Sequence, residues 1–113
     1  MFNKKSRLVK KRDIDRVFRK GRRAAQDFVF VNSLANNLSY HRAVVIVGTK
    51  SGLKAVGRNL LKRRAREVLS SSWDQLSPSS DIIIGFRGRF ERVPKQAIIK
   101  EHIEKCLVLL RPR

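Results

Sequence analysis

Hydrophobic residues recur along the chain with periods that change several times, and each period predicts one element. The first periodic stretch has apolar residues spaced i, i+3, i+4 and is followed by Gly21, a residue type that often ends helices. It predicts a short helix over residues 11–20. Residues 1–10 are basic and lack the pattern, which favours a flexible arm. The apolar residues of this helix are Ile14, Val17 and Phe18.

Three later stretches have the short length and the β-branched or aromatic composition of strands. DFVFVNSL (27–34) alternates with a period of two, whereas RAVVIVG (42–48) is a continuous apolar run that predicts a more buried strand. The breaker SPSS (77–80) precedes the third stretch, DIIIGF (81–86).

Two more helices are predicted. KAVGRNLLKRRAREVL (54–69) follows the loop TKSGLK (49–54), and Pro94 suits the first turn of a last helix. An apolar stripe along that last helix should pack on the sheet. Its members are Ile99, Ile103, Cys106, Leu107 and Leu110.

The predicted order is therefore helix, two or more strands, helix, strand, helix. This order favours an α/β sandwich with a small mixed sheet and one βαβ crossover. No internal repeat or long linker divides the chain, so we expect one domain over residues 1–113.

On a helical wheel, the helix over 54–69 separates into a polar and an apolar side. Five polar residues fall within an arc of roughly 140°, and four apolar residues fall within an adjoining arc of about 100°. The apolar arc should hold the helix on the sheet and turn the polar arc toward solvent. The polar set, named the basic arc below, is Arg58, Asn59, Lys62, Arg63 and Arg66; the apolar set is Leu61, Ala65, Val68 and Leu69.

The composition of the chain indicates what the basic arc could bind. The chain has 27 Lys and Arg against 9 Asp and Glu, a net charge of +18. A compact domain with this charge repels itself, and a polyanion, above all a nucleic acid, relieves the repulsion. No apolar run approaches the roughly 20 residues of a membrane span. A single cysteine, Cys106, cannot form an internal disulfide, and we expect a cytoplasmic protein.

The alternative for the basic arc is an ordinary solvated helix face. Such faces carry both signs at i, i+4, whereas here Arg58 repels Lys62 and Lys62 repels Arg66, at a few tenths of a kcal/mol each. Guanidinium forks suit phosphate oxygens, so we favour a phosphate-binding face. The preceding loop lacks a GxxxxGK[ST] pattern, which argues against nucleotide hydrolysis.

Three segments in order resemble the protein component of bacterial ribonuclease P, along nearly the whole chain. RLVKKRDIDRVFRKG is similar to that family's N-terminal helix. RAVVIVGTKSG leading into KAVGRNLLKRRARE is similar to its strand, glycine loop and helix of the form RNRxKRxxRE. DIIIGFR falls where the family has an apolar strand that ends in a basic residue.

The resemblance implies an α+β two-layer sandwich of order αβββαβα, with a mixed sheet and a left-handed βαβ crossover, like ribosomal protein S5 domain 2. It implies a subunit that binds the catalytic ribonuclease P RNA and the 5′ leader of precursor tRNA. The RNA would carry the chemistry with Mg²⁺ held by its phosphates. The protein itself is then expected to have no catalytic centre, metal site, tightly bound cofactor or obligatory protein partner.

The resemblance also assigns residues. A cleft between the first helix and the sheet would hold the leader, and Ile14 and Val31 stand where aromatic residues are common in the family. Leu60 replaces the middle Arg of RNR, and we hypothesise that Arg64, about 40° away on the wheel, restores it. The implied RNA-binding residues are Lys50, Lys54, Arg58, Asn59, Lys62, Arg63, Arg64 and Arg66; the implied cleft residues are Ile14, Phe18, Val29 and Val31.

Other functions are less well supported by the residues. His41 and His102 have no nucleophile or paired carboxylate nearby in sequence, which argues against catalysis by the protein. The main alternative is a general or ribosome-associated RNA-binding module. A DNA-binding helix-turn-helix ranks third, because a strand follows the basic helix.

Overall fold

The computed structural model describes residues 6–72 and 79–111. Three α-helices, a 3₁₀ helix over Thr49–Ser51 and four strands are present in this part of the chain. Their bounds are α1 Lys11–Lys20, β1 Arg22–Gln26, β2 Val29–Ala35, β3 Arg42–Ile46, α2 Ala55–Ser72, β4 Ser80–Phe86 and α3 Gln96–Leu109.

The four strands form one mixed sheet in the order β1-β2-β4-β3. The pairs β1–β2 and β2–β4 are antiparallel, while β3 and β4 are parallel and are joined through α2. This arrangement confirms the α+β fold with a mixed sheet and one βαβ unit. Strand β1, RRAAQ, is an addition to the strands that hydrophobic periodicity predicted.

Helices α2 and α3 pack on one face of the sheet and form the main core. Side chains of β2 and β4 that point to this face are fully buried, among them Val29, Val31 and Ile84. The predicted stripe of α3 packs here too, with Ile99, Ile103 and Cys106 buried. Pro94 lies just before the helix, because α3 begins at Gln96, so its predicted place in the first turn is wrong.

The prediction of a more buried strand over 42–48 is wrong in extent and position. Strand β3 ends at Ile46 and lies at the edge of the sheet, with Ile46 37% exposed. The central strand β4 is the one whose seven residues are all buried. A continuous apolar run is compatible with either place, because strand order depends on pairing across the chain.

Helix α1 covers part of the opposite face. Val17 packs there on Ile83 and on Leu8, which is only 1% exposed and whose backbone N–H donates to the Ala43 carbonyl at 2.9 Å. Of the predicted arm, residues 1–5 lie outside the described residues. The flexible arm is wrong for residues 6–8, because Ser6 and Leu8 are buried and Arg7 forms a β-bridge with Ala43; for residues 1–5 it stays a prediction.

A polar network fastens α1 to the sheet. Asp81 is fully buried and accepts two hydrogen bonds from Arg42, at 2.8 and 2.6 Å, and one from Asn36 Nδ2 at 3.0 Å. Arg42 Nη1 also lies 3.5 Å from Asp13 Oδ2 on α1. The hydrogen bond to Asp81 raises the pKa of the Arg42 guanidinium. This charge is therefore neutralised within the protein.

Candidate nucleic-acid interface

The apolar side of α2 lies against the sheet, as its periodicity predicted. Leu61, Ala65, Val68 and Leu69 are all buried in the main core. Burying this stripe fixes the rotation of the helix about its axis, and that rotation decides where the basic arc points.

The basic arc lies on the accessible side of α2. Asn59, Arg63 and Arg66 are exposed, and Arg58 and Lys62 are half-buried. Among the residues described, no carboxylate forms an ion pair with any cation of this arc. The charges are therefore left for an external anion.

Three members of the arc line a groove of about 830 Å³ between α2, β3 and the N-terminal segment. Lys62, Arg63 and Arg66 form one wall, and Arg7 contributes a fourth cation from the other side. Glu67 adds one carboxylate to the lining and accepts a hydrogen bond from Gln96 at 3.1 Å. Four cations from two segments give the groove a positive potential that suits a phosphate backbone.

Arg58 has a different place from the other cations of the arc. Its Nη1 donates to the Leu53 carbonyl at 2.7 Å, which ties the helix to the preceding loop. The loop carries the exposed Lys50 and Lys54 and turns at Gly52, whose φ of 80° suits glycine. A side chain at Gly52 would begin 3.2 Å from an Arg89 nitrogen, so Arg89 adds a cation to this loop. Sequence reasoning missed Arg89, since it lies in a stretch with no periodic pattern.

Arg64 lies apart from the basic arc. Its Nη1 donates to the Pro94 carbonyl at 2.7 Å, in the segment before α3. The structure therefore does not bring Arg64 to the groove with Lys62, Arg63 and Arg66. Whether it replaces the arginine missing at Leu60 stays a prediction.

The predicted leader cleft is divided between the two faces of the sheet. Ile14 packs beneath α1 and Phe18 is 41% exposed on the same helix. Val29 and Val31, however, are 0% exposed in the opposite core, so their placement in a cleft with α1 is wrong. Side chains alternate along a strand, and a displacement of one residue moves them to the other face.

Phe30 occupies the α1 face in place of those valines. It pairs with Gly85 of β4, and its ring lies across that glycine: a side chain at Gly85 would begin 1.9 Å from the ring carbon Cζ. The guanidinium carbon of Arg23 lies 4.1 Å from the ring centroid. The period of two in DFVFVNSL separates Phe30 from the two valines, and this was the available signal.

The described residues offer little for acid–base or metal chemistry. They contain no group of three or more His, Cys, Asp or Glu that could hold a metal ion. His41 Nδ1 accepts a hydrogen bond from the Ser80 backbone at 3.0 Å. Burial raises the pKa of the Cys106 thiol.

Within the described part of the chain, no helix has both the length and the apolar composition to cross a membrane.

Comparison with known families gives one consistent match. The family model described as Ribonuclease P matches residues 2–110. The ribonuclease P protein component of Syntrophobacter fumaroxidans is 35% identical over 101 residues, covering 88% of this chain and 84% of the relative. That of Thermotoga petrophila is 31% identical over 110 residues, covering 97% and 93%.

Solved structures agree with the sequence matches. The ribonuclease P protein of Staphylococcus aureus superposes with a TM-score of 0.81 at 26% identity, over 92% of this chain and 94% of that one. The ribonuclease P protein of Thermotoga maritima gives a TM-score of 0.79 at 23% identity, over 94% and 98%, and this likeness supports the fold.

Proposed function

This chain belongs to the ribonuclease P protein family, and from that premise we propose that its basic arc and the adjoining groove bind the ribonuclease P RNA. It is a subunit of the ribonuclease P holoenzyme and acts in tRNA processing. One observation carries the assignment of the surface: Lys62, Arg63 and Arg66 face Arg7 across a groove and have no carboxylate partner among the described residues.

The chemistry of the groove supports RNA as its ligand. Arginine presents a planar fork that can bind two phosphate oxygens, and Asn59 can donate and accept at a sugar hydroxyl or a base edge. Lys50 and Lys54 precede α2 and Arg58 lies in its first turn, so these three cations extend the basic surface toward the loop before the helix. Arg64 is included among the proposed RNA-binding residues. Its contribution to binding should be smaller, because its guanidinium already donates a hydrogen bond to the Pro94 carbonyl.

The face of the sheet that carries α1 is proposed to hold the single-stranded 5′ leader of precursor tRNA. Phe18 on α1 and Phe30 on β2 supply accessible aromatic rings on this side. Single-stranded RNA binds such surfaces by stacking its bases on aromatic side chains. Ile14 lines the same face as an apolar contact.

We further propose where the protein acts and how the metal ion takes part. Residues 1–113 act as one RNA-binding domain in the cytoplasm, without an obligatory protein partner. The Mg²⁺ needed for cleavage binds to RNA phosphates, and the protein contributes by neutralising closely packed RNA backbones.

A charge-matched pair of variants tests the RNA-binding surface. We expect Arg63→Ala/Arg66→Ala to weaken binding of the ribonuclease P RNA by about 100-fold at low salt, from roughly 1.5 kcal/mol for each lost charged hydrogen bond. The slope of log affinity against log salt should shrink by about 1.4 to 1.8. Filter binding across a salt series measures both quantities.

The control is Lys100→Ala/Lys105→Ala, which removes the same charge from exposed positions of α3. If both double variants lose the same amount of RNA affinity, the basic arc contributes to binding only through the net charge of the protein. A second outcome addresses the alternative function. If the wild-type protein binds arbitrary RNA duplexes equally well and does not stimulate precursor tRNA cleavage at low Mg²⁺, it is a general RNA-binding module.

A further inference from the structure

The α1 face of the sheet has a covered part and an open part. Helix α1 lies over the rows that contain Leu34 and Ile83. The next row on this face places Ala25, Phe30, Gly85 and Ile46 side by side across the four strands. Phe30 is only half-buried and Ile46 is 37% exposed, so this row is accessible to a ligand.

Phe30 of this row and Arg23 of the neighbouring row form a layered arrangement. The Phe30 ring lies across Gly85, where any side chain would collide with it. The Arg23 guanidinium lies on the ring, 4.1 Å from its centroid, and the residue is exposed. The glycine thus forms a seat for the ring, and the ring holds the guanidinium in place.

From this arrangement we propose that Arg23 and Phe30 form a stacking platform for one unpaired nucleobase of the precursor tRNA leader. The inference rests on the proposed binding of the leader to the α1 face. A guanidinium plane stacks on a base as an aromatic ring does, and its charge also attracts the flanking phosphates. The outer side of the Arg23 guanidinium thus offers, on the α1 face, a stacking surface that Ile14 does not supply.

Asn32 adds a polar group beside the platform. It pairs with Arg23 across the β1–β2 ladder and therefore lies on the same face. Its Oδ1 is buried and has no hydrogen-bond partner among the described residues. Asn32 is only 2% exposed and shares its row with Ile83 beneath α1, so it marks the inner, closed edge of the platform and does not itself contact the base.

Arg22 provides an internal control for Arg23. The two are neighbours in β1, and alternation places Arg22 on the opposite face. There its guanidinium donates to the carbonyls of Leu109 and Leu110 at the end of α3, at 3.3 and 3.2 Å. Substitution of either arginine removes one charge, but only Arg23 lies on the proposed platform.

The test uses the holoenzyme reconstituted with ribonuclease P RNA. Precursor tRNA with a leader of several nucleotides is compared with tRNA that has a single leader nucleotide. Arg23→Ala and Phe30→Leu should each weaken binding of the long-leader substrate by about 5- to 50-fold, the range expected for one stacked base. Arg22→Ala should leave this binding within twofold, as should all three variants with the short-leader substrate. Circular dichroism of each variant confirms folding, and Phe30→Leu keeps an apolar side chain on Gly85.

An abasic scan of the leader identifies the stacked base. At one leader position, loss of the base should weaken substrate binding by the wild-type holoenzyme. The same loss should not further weaken binding by the Arg23→Ala holoenzyme. If Arg23→Ala and Phe30→Leu both bind the long-leader substrate as tightly as the wild type does, the platform is wrong, while the proposal that the leader binds this face still stands. If leader length has no effect on the wild-type holoenzyme, leader binding itself fails, and the platform fails with it.

Discussion

Arg42 and Arg63 both carry a guanidinium, but Arg42 is ion-paired within the protein and Arg63 is not. Around Arg42 the chain places Asp81 and Asp13, and the buried carboxylate of Asp81 accepts both prongs of the fork. Arg63 lines a groove together with three other cations and Glu67, and none of the described residues forms an ion pair with it. The charge of Arg42 is neutralised inside the protein, whereas the charge of Arg63 faces solvent, where an external anion can reach it.

The largest expected effect concerns the paired region. Asp81→Ala leaves Arg42 and Asn36 without their buried partner, so the free energy of unfolding should fall by about 3–5 kcal/mol. Urea denaturation measures it. Asp13→Ala is the matched control, because Asp13 is the more distant partner at 3.5 Å and is partly exposed, and it should cost less than about 1 kcal/mol. Similar losses for the two variants would contradict a dominant role for Asp81.

An intermediate effect is expected when the basic arc is made to resemble the paired region. Asn59→Asp places a carboxylate one turn before Arg63, and this i, i+4 pair should stabilise the helix by about 0.2–0.5 kcal/mol. By engaging Arg63 and adding negative charge, it should also weaken RNA binding by about tenfold, the equivalent of one charged hydrogen bond.

The control for this change is Asn59→Ser, which removes the amide without adding charge. Filter binding and thermal unfolding are measured on both variants. An Asn59→Asp protein that binds RNA as tightly as the Asn59→Ser protein would show that unpaired charge on the arc is not what RNA recognises.

The smallest expected effect concerns Arg64, which is intermediate between the two regions. Because its guanidinium bonds the Pro94 carbonyl, Arg64→Ala should lower the free energy of unfolding by about 1 kcal/mol. It should weaken RNA binding less than Arg63→Ala does. RNA affinity at the wild-type level would show that Arg64 does not replace the arginine missing at Leu60.

Periodicity predicted those elements whose burial is encoded within one helix or strand. The apolar arc of α2 and the stripe of α3 were confirmed, because the spacing of apolar residues fixes which side of a helix can be buried. Strand β1 has no such signal: RRAAQ combines two arginines with small and polar residues, and its pairing with β2 defines it as a strand.

Strand position and register needed the sheet itself. β3 and β4 are both apolar runs, yet β4 became central and β3 became an edge. Likewise, DFVFVNSL separates Phe30 from Val29 and Val31, but the sequence does not state which set faces α1. Packing of α2 and α3 on the valines decided it, and so left Phe30 on the other face.

The sequence by itself determined the fold class, the family and the rotation of the basic helix, because charge and hydrophobic spacing are local properties of the chain. Only the tertiary structure decided which arginines are already paired, as Arg42 and Arg64 are, and which are not. It also decided that Arg23, Phe30 and Gly85 meet. Those outcomes depend on residues far apart in sequence, whose distances are set only when the sheet and helices pack together.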